Sequence, residues 1–162
     1  MIRTIHDFLD RWKEETEATL KIFKSLTDES LQVAIPGGRT LGRLANHITE
    51  TVTELPGKLG LPIEEVHAGY STVQELVTNY KKYADQLVGV IISNWDDSDL
   101  TDENNLYGDP WKNGFSLWIL LIHQAHHRAQ MTVLMRMAGL TVPGVYGPTR
   151  EEWEAWGEVP LP

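Results

Sequence analysis

The sequence predicts an all-α protein: a four-helix bundle closed by a short C-terminal helix. Three observations carry this. Apolar side chains recur at helical spacing over four long stretches, threonine or serine capping signals open several of them, and the eight prolines, at 36, 56, 62, 110, 143, 148, 160 and 162, fall between or beyond those stretches. No strand-like alternation competes with them.

The first helix is expected near 4 to 26. Ile5, Phe8, Leu9, Trp12, Thr16, Leu20, Phe23 and Leu26 make one stripe, Glu14, Glu15, Lys21 and Lys24 turn mostly away, and Thr4 caps the start with Asp7 three residues on. The second, near 40 to 55, follows Pro36-Gly37-Gly38, repeats Leu41, Leu44, Ala45, Ile48, Val52 and Leu55, and is expected to stop at Pro56-Gly57. The third, near 71 to 93, opens with Ser71 and Gln74 in capping-box spacing and runs Val73, Leu76, Val77, Tyr80, Ala84, Leu87 and Ile91. The fourth, near 113 to 138 with Gly139 as its C-cap, is apolar nearly all round from Phe115 to Ile122. Such a helix has neighbours on several sides, which predicts a homodimer through it. Thr149 and Glu152 open a short closing helix with Trp153 and Trp156, and the segments 56 to 70 and 95 to 111 read as long loops.

Composition narrows the class of function. A chain of 162 residues with no cysteine reads as one domain over residues 1 to 162, without disulfides, thiolate ligands or a cysteine nucleophile. Its net charge of −9, with lysines and arginines scattered, argues against nucleic acid and anionic lipid as partners. The longest apolar run, Leu117 to Ile122, is far short of a membrane span, and Arg3, His6, Asp7 and Asp10 stand where a signal peptide needs apolar residues. The expectation is a cytoplasmic protein.

Three of the six histidines fall in His123-Gln124-Ala125-His126-His127-Arg128-Ala129-Gln130, inside the most apolar helix. Polar rings there require partners. His123 and His127, one turn apart, share a helix face and can present two imidazoles to one divalent ion. His47, on the shoulder of the second helix's apolar stripe, can lean inward as a third ligand, which would leave coordination positions open. Two other readings fit the same residues: a hydrogen-bonded polar core with no metal, and a pair formed by His123 with His126.

One histidine in the second helix, followed about 75 positions later by His-x-x-x-His-Arg-Ala-Gln, resembles the DinB superfamily of bacterial proteins. The likeness extends over nearly the whole chain, including the apolar segment before the cluster and the closing Met-Ala-Gly-Leu-Thr-Val-Pro-Gly-Val-Tyr-Gly-Pro. It implies an up-up-down-down bundle, often dimeric, with one divalent metal held by His47, His123 and His127. Ala129 stands where the superfamily usually has glycine, and alanine also permits close helix packing. Three imidazoles suit zinc, nickel, iron and copper alike, with zinc or nickel the first expectation. Gln130, on the ligand face, is placed to orient a water, His126 to assist from beside the ligands, and Arg128 to form a salt bridge or interface.

Other motifs carry no chemistry. Glu64-Glu65-Val66-His67 holds one Glu-x-x-His between Pro62 and Gly69, whereas a di-iron bundle needs two on helices. Position 124 is Gln where a zincin has Glu, and no hydrolase elbow, phosphate loop or dinucleotide fingerprint occurs. Tyr107, Trp111, Tyr146, Trp153 and Trp156 are expected to pack over the core rim. The resemblance implies a metal-dependent transferase that adds a low-molecular-weight thiol to a small electrophile, with catalytic help from Gln130 or His126. A metal-dependent hydrolase and a non-catalytic stress-related metal-binding scaffold are the alternatives, which fold alone does not separate.

Overall fold

The computed structural model describes residues 2–160. Its body is made of α1 (Ile5–Lys24), α2 (Leu41–Lys58), α3 (Val73–Asn94) and α4 (Asn113–Met137), followed by the short α5 (Arg150–Ala155). Helix α1 packs on α3 and α4, and α2 packs on the same two, so α1 and α2 occupy one diagonal of a four-helix bundle. The core between them buries Phe8, Trp12, Phe23, Leu76, Tyr80 and Leu117 completely or nearly so. Each such side chain contributes roughly 1.5–3 kcal/mol, and the one polar atom of Trp12, Nε1, donates to the Ala84 carbonyl at 3.2 Å.

Helix directions follow from cross-bundle contacts. Ile5 N donates to Asp97 beyond the end of α3 while Phe23 meets Tyr80 near its start, so α1 and α3 are antiparallel. His47 meets His123 and His127, and the earlier Leu44 shares a cavity wall with the later Leu134, so α2 and α4 are antiparallel too. Gly114 abuts the Ile2 carbonyl and Arg128 bonds Thr19, which makes α1 and α4 parallel. The four-helix architecture is as expected, but the order is up-down-down-up rather than up-up-down-down. The cause lies in the connections. A 3-10 turn at Glu29–Gln32 folds the chain back so that α2 starts beside the end of α1. The segment after α2 then returns to the same end, where Tyr70 N donates to Asn46 Oδ1 (2.9 Å) and Val73 N to Asp28 Oδ1 (2.7 Å).

Four local expectations are corrected. Pro56 lies inside α2, because a proline in the last turn forfeits a single hydrogen bond, and the stop comes at Gly60, whose φ of +82° ends the helix. The capping box of α3 is Thr72 with Glu75, not Ser71 with Gln74. Thr72→Ala should therefore cost about 1 kcal/mol in urea unfolding while Gln74→Ala stays within about 0.5 kcal/mol. The segment 95 to 111 is not all loop: β1 (Glu103–Leu106) and β2 (Asp109–Lys112) form an antiparallel hairpin in register Leu106↔Asp109. Its two-residue turn holds Tyr107 at φ 57° and Gly108 at φ 95°, a conformation for which Asn-Gly is the usual signature. Finally, Glu15 turns inward rather than away, to meet Arg128.

Candidate metal centre

The bundle interior is polar where α2, α3 and α4 meet. Gln124, fully buried, donates from Nε2 to the Ile48 carbonyl (3.2 Å) and to Thr51 Oγ1 (3.3 Å), and its Oε1 accepts from Tyr80 Oη (3.1 Å). One amide thus ties three helices together, and the burial of all these atoms without loss of partners fixes the rotation of α4. That rotation turns the next face of α4, His123 and His127, toward α2.

There the structure brings together His47, His123 and His127. One nitrogen from each ring lies within 4.8 Å of the others. Ring centroids are 5.0 Å apart for His47 and His123, 4.7 Å for His47 and His127, and 4.4 Å for His123 and His127. The Nε2 atoms of His123 and His127 are separated by 3.1 Å. Two nitrogens bound at 2.0–2.1 Å to one ion stand ~2.9 to ~3.4 Å apart, according to the angle between the bonds. That pair is already spaced for a shared cation.

The surroundings favour bare nitrogen lone pairs. Burial, then the nearness of His127 and His47, pushes His123 down to about 4. Burial also lowers His127 against the opposing hydrogen bond that it donates to Gln130 Oε1, and lowers His47 together with the charges of Arg39 and Arg43. Three rings held neutral and facing one another are the protonation state that metal ligation requires. His123 Nδ1, the ring nitrogen away from His127, is buried without a hydrogen-bond partner, so no protein group fixes its tautomer as Gln130 fixes that of His127. The donor set therefore fits a divalent ion of intermediate softness: zinc, nickel, iron or copper.

Outside the triad stand residues that orient it. His127 Nδ1 is 2.7 Å from Gln130 Oε1, and Gln130 Nε2 is 3.1 Å from His126 Nε2. With the amide oxygen accepting, His127 carries its proton on Nδ1 and leaves Nε2 free toward the triad, the usual arrangement behind a histidine ligand. Gln130 is thus engaged by both rings, and it acts on the site through His127. His126 is exposed and does not join the three. Glu50 Oε2 lies 3.8 Å from His47 Nδ1, too far for a hydrogen bond, and is paired with Arg43 at 2.7 Å. His67 is exposed in the segment after α2 and is not one of the three.

Sequence reasoning missed Gln124, Glu50 and Arg39. The first two have a signal in hindsight: a Gln one residue from His123 on the apolar side must find buried partners, and Glu50 is one turn beyond His47. Arg39 lies in an irregular segment whose path no periodicity foretells. The aromatic residues expected over the core rim have mixed positions: Trp111 is half-buried against Phe115, whereas Tyr107, Tyr146 and Trp156 are largely exposed.

Among known proteins, the sequence profile described as "DinB family" matches residues 1–158. An uncharacterized protein of Bacillus subtilis (strain 168), YrdA, is 39% identical over 161 residues, covering 97% of this chain and 96% of that one. The crystal structure of a DinB-like protein from Bacillus cereus ATCC 10987 is 44% identical and superposes with a TM-score of 0.85 over 90% of this chain and 100% of that chain. A second DinB-like protein, YjoA of Bacillus subtilis, shares the fold at a TM-score of 0.69 with 14% identity, covering 88% of this chain and 99% of that one.

Proposed function

The chain belongs to the DinB family, and from that premise we propose that it is a metal-dependent transferase that joins a low-molecular-weight thiol to a small electrophile. The observation that carries the reading is the convergence of three neutral imidazoles, with no carboxylate among them, on a point beside a cavity. His47, His123 and His127 would hold one divalent ion, zinc or nickel first. Such an ion supplies Lewis acidity that lowers the pKa of a thiol or a water in its open positions, so that a nucleophile exists at neutral pH.

The protein's own groups do the rest. Gln130 fixes the tautomer of His127 and so the direction of its lone pair. His126 Nε2 accepts from Gln130, so the neutral ring carries its proton on Nδ1, and it would take up the proton that the thiol releases at Nε2, in exchange for that hydrogen bond. Three ligands from two helices pinned by Gln124 keep the site rigid while a side stays open to substrate.

The test is turnover of an electrophile with added small thiols by metal-loaded protein. Thioether formation that stops on chelation and returns with zinc or nickel is expected. Chelation-sensitive hydrolysis with no dependence on thiol would replace this reading with a hydrolase, and tight metal binding with no turnover would leave a binding module.

Assembly belongs to the same proposal. Along the outer side of α4, Trp118, Ile122 and Met137 are exposed, an apolar stripe at helical spacing that we assign to a homodimer. Sedimentation should show a dimer at micromolar concentration that Ile122→Glu dissociates; a wild-type monomer under those conditions would refute it.

A further inference from the structure

A cavity of about 460 Å³ opens beside the triad, lined by Ile35, Arg39, Leu44, Gln130, Val133 and Leu134. Its size is that of a small-molecule pocket. The floor is apolar: Leu44 and Leu134 are buried, while Ile35 and Val133, 49% and 58% exposed, present hydrocarbon to solvent that a ligand would cover. Gly38 shapes one wall, since a Cβ there would lie 2.5 Å from Cγ1 of Ile35 and displace it. At the triad end sits Gln130, bonded to His127.

The cavity has a single formal charge, Arg39. Among the described residues this guanidinium has no carboxylate at ion-pair distance, whereas Arg11, Arg43, Arg128, Arg136 and Arg150 each do. Arg43, the nearest other cation on α2, is neutralised by Glu50. Arg39 is also close enough for its charge to be felt at His47 and His127. In a chain of net charge −9, the general field repels anions, so an uncompensated arginine over an apolar pocket is a local preference and not part of a basic surface. A guanidinium is the donor fork that a carboxylate accepts in two parallel hydrogen bonds.

We propose that this cavity binds a small monocarboxylate with an apolar body, its carboxylate held by Arg39, its hydrocarbon against Ile35, Leu44 and Val133, and its reactive carbon directed past Gln130 to the triad. The last placement rests on the metal-site reading; the anchoring at Arg39 does not. It narrows the electrophile of the proposed reaction to a carboxylate-bearing one. A polyphosphate is disfavoured, since one arginine and an apolar floor offer nothing to further charges.

The probes are 4-phenylbutanoate and its uncharged isostere 4-phenylbutanamide, titrated by protein-observed NMR on metal-loaded protein and on protein stripped with phenanthroline. The carboxylate should bind at least about tenfold tighter than the amide, the margin of a charge-assisted hydrogen bond, in both preparations. Arg39→Gln should erase that preference and leave amide binding unchanged, and Val133→Trp, at an exposed position, should weaken both probes by filling the cavity. A preference that survives Arg39→Gln but vanishes on stripping would mean that the carboxylate binds the metal, and would overturn the anchor. Equal binding of the two probes, or no binding of either, overturns it as well. If His127→Ala protein holds no metal yet keeps the carboxylate preference, the anchor stands independently; if wild-type protein keeps it but binds no metal, the metal reading alone has failed.

Discussion

Substitution of His127 by Ala is expected to abolish stoichiometric metal binding. The ring supplies one of three nitrogens, and its Nε2 is the partner already spaced 3.1 Å from His123 Nε2. Loss of an outer partner of a metal ligand typically costs 10–100-fold in affinity, so Gln130→Ala should fall in about that range and His127→Ala should exceed it. His67→Ala, exposed and outside the triad, should change nothing. Thermal unfolding reports the same difference: at an ion concentration about 100 times Kd, wild-type protein gains about 2.7 kcal/mol, roughly 5–10 °C for a chain of this size, and the His127 variant gains none. Metal content that survives His127→Ala would refute the site. The pH dependence has a definite sign. All three rings are lowered from 6.5, so the folded protein keeps their lone pairs available below that value, and His123 does so down to about 4. Affinity should be flat above about pH 6.5, decline only as pH falls below it, and lose the His123 contribution near 4. Without metal, the fold itself should weaken as pH drops through 6.5, because the unfolded chain binds protons there that the folded chain does not.

Much of this site was legible in the sequence because its geometry is local. The i, i+4 spacing of His123 and His127 puts them on one helix face whatever the surroundings, and His47 keeps its place on the shoulder of a regular amphipathic helix. The helices were legible for the same reason, and the boxes at Thr4 and Thr149 stand where they were expected, with Thr149 N donating to Glu152 Oε2 at 3.0 Å. What was not legible depends on contacts distant in sequence. The direction of each helix is decided by the irregular segments 25 to 40 and 59 to 72, whose side-chain bonds, such as Asn46 with Tyr70, join residues 24 positions apart. The hairpin at 103 to 112 is too short for alternation to stand out, and its Tyr-Gly turn is held by context, with Tyr107 beside Trp111 and over Lys58. Local preference placed Glu15 with its charged neighbours on the outer face of α1, whereas a partner 113 positions away draws it in.

That partner gives the other large effect expected here. Arg128, 2% exposed, bonds the carboxylate of Glu15, Thr19 Oγ1 (2.9 Å) and the hydroxyl of Tyr146, whose ring the guanidinium also faces at 5.5 Å. Burial of the hydroxyl end and its hydrogen bonds to Glu15 raise Tyr146 to about 12, so it remains a donor throughout the physiological range. The cluster joins α4, α1 and the segment before α5. Because an isolated charge in such a place is far more costly than a paired one, Glu15→Leu should destabilise by about 3–5 kcal/mol, leaving Arg128 without a counter-charge. Arg128→Met alone should also destabilise, by leaving the Glu15 carboxylate with the Tyr146 hydroxyl in place of a counter-charge and Thr19 Oγ1 without its donor. The double variant, which removes both charges and fills the space with hydrocarbon, should be more stable than the sum of the single losses predicts, and a double-mutant cycle in urea measures that coupling. Additive losses would mean that the two charges do not depend on each other. Metal stoichiometry should remain one per chain in every variant that folds, since the triad is built on α2 and α4 and pinned by Gln124 rather than by α1. A Glu15 variant that keeps its stability but loses the metal would show that the cluster sets the angle of α4 at His127, one residue from Arg128, instead of holding the fold.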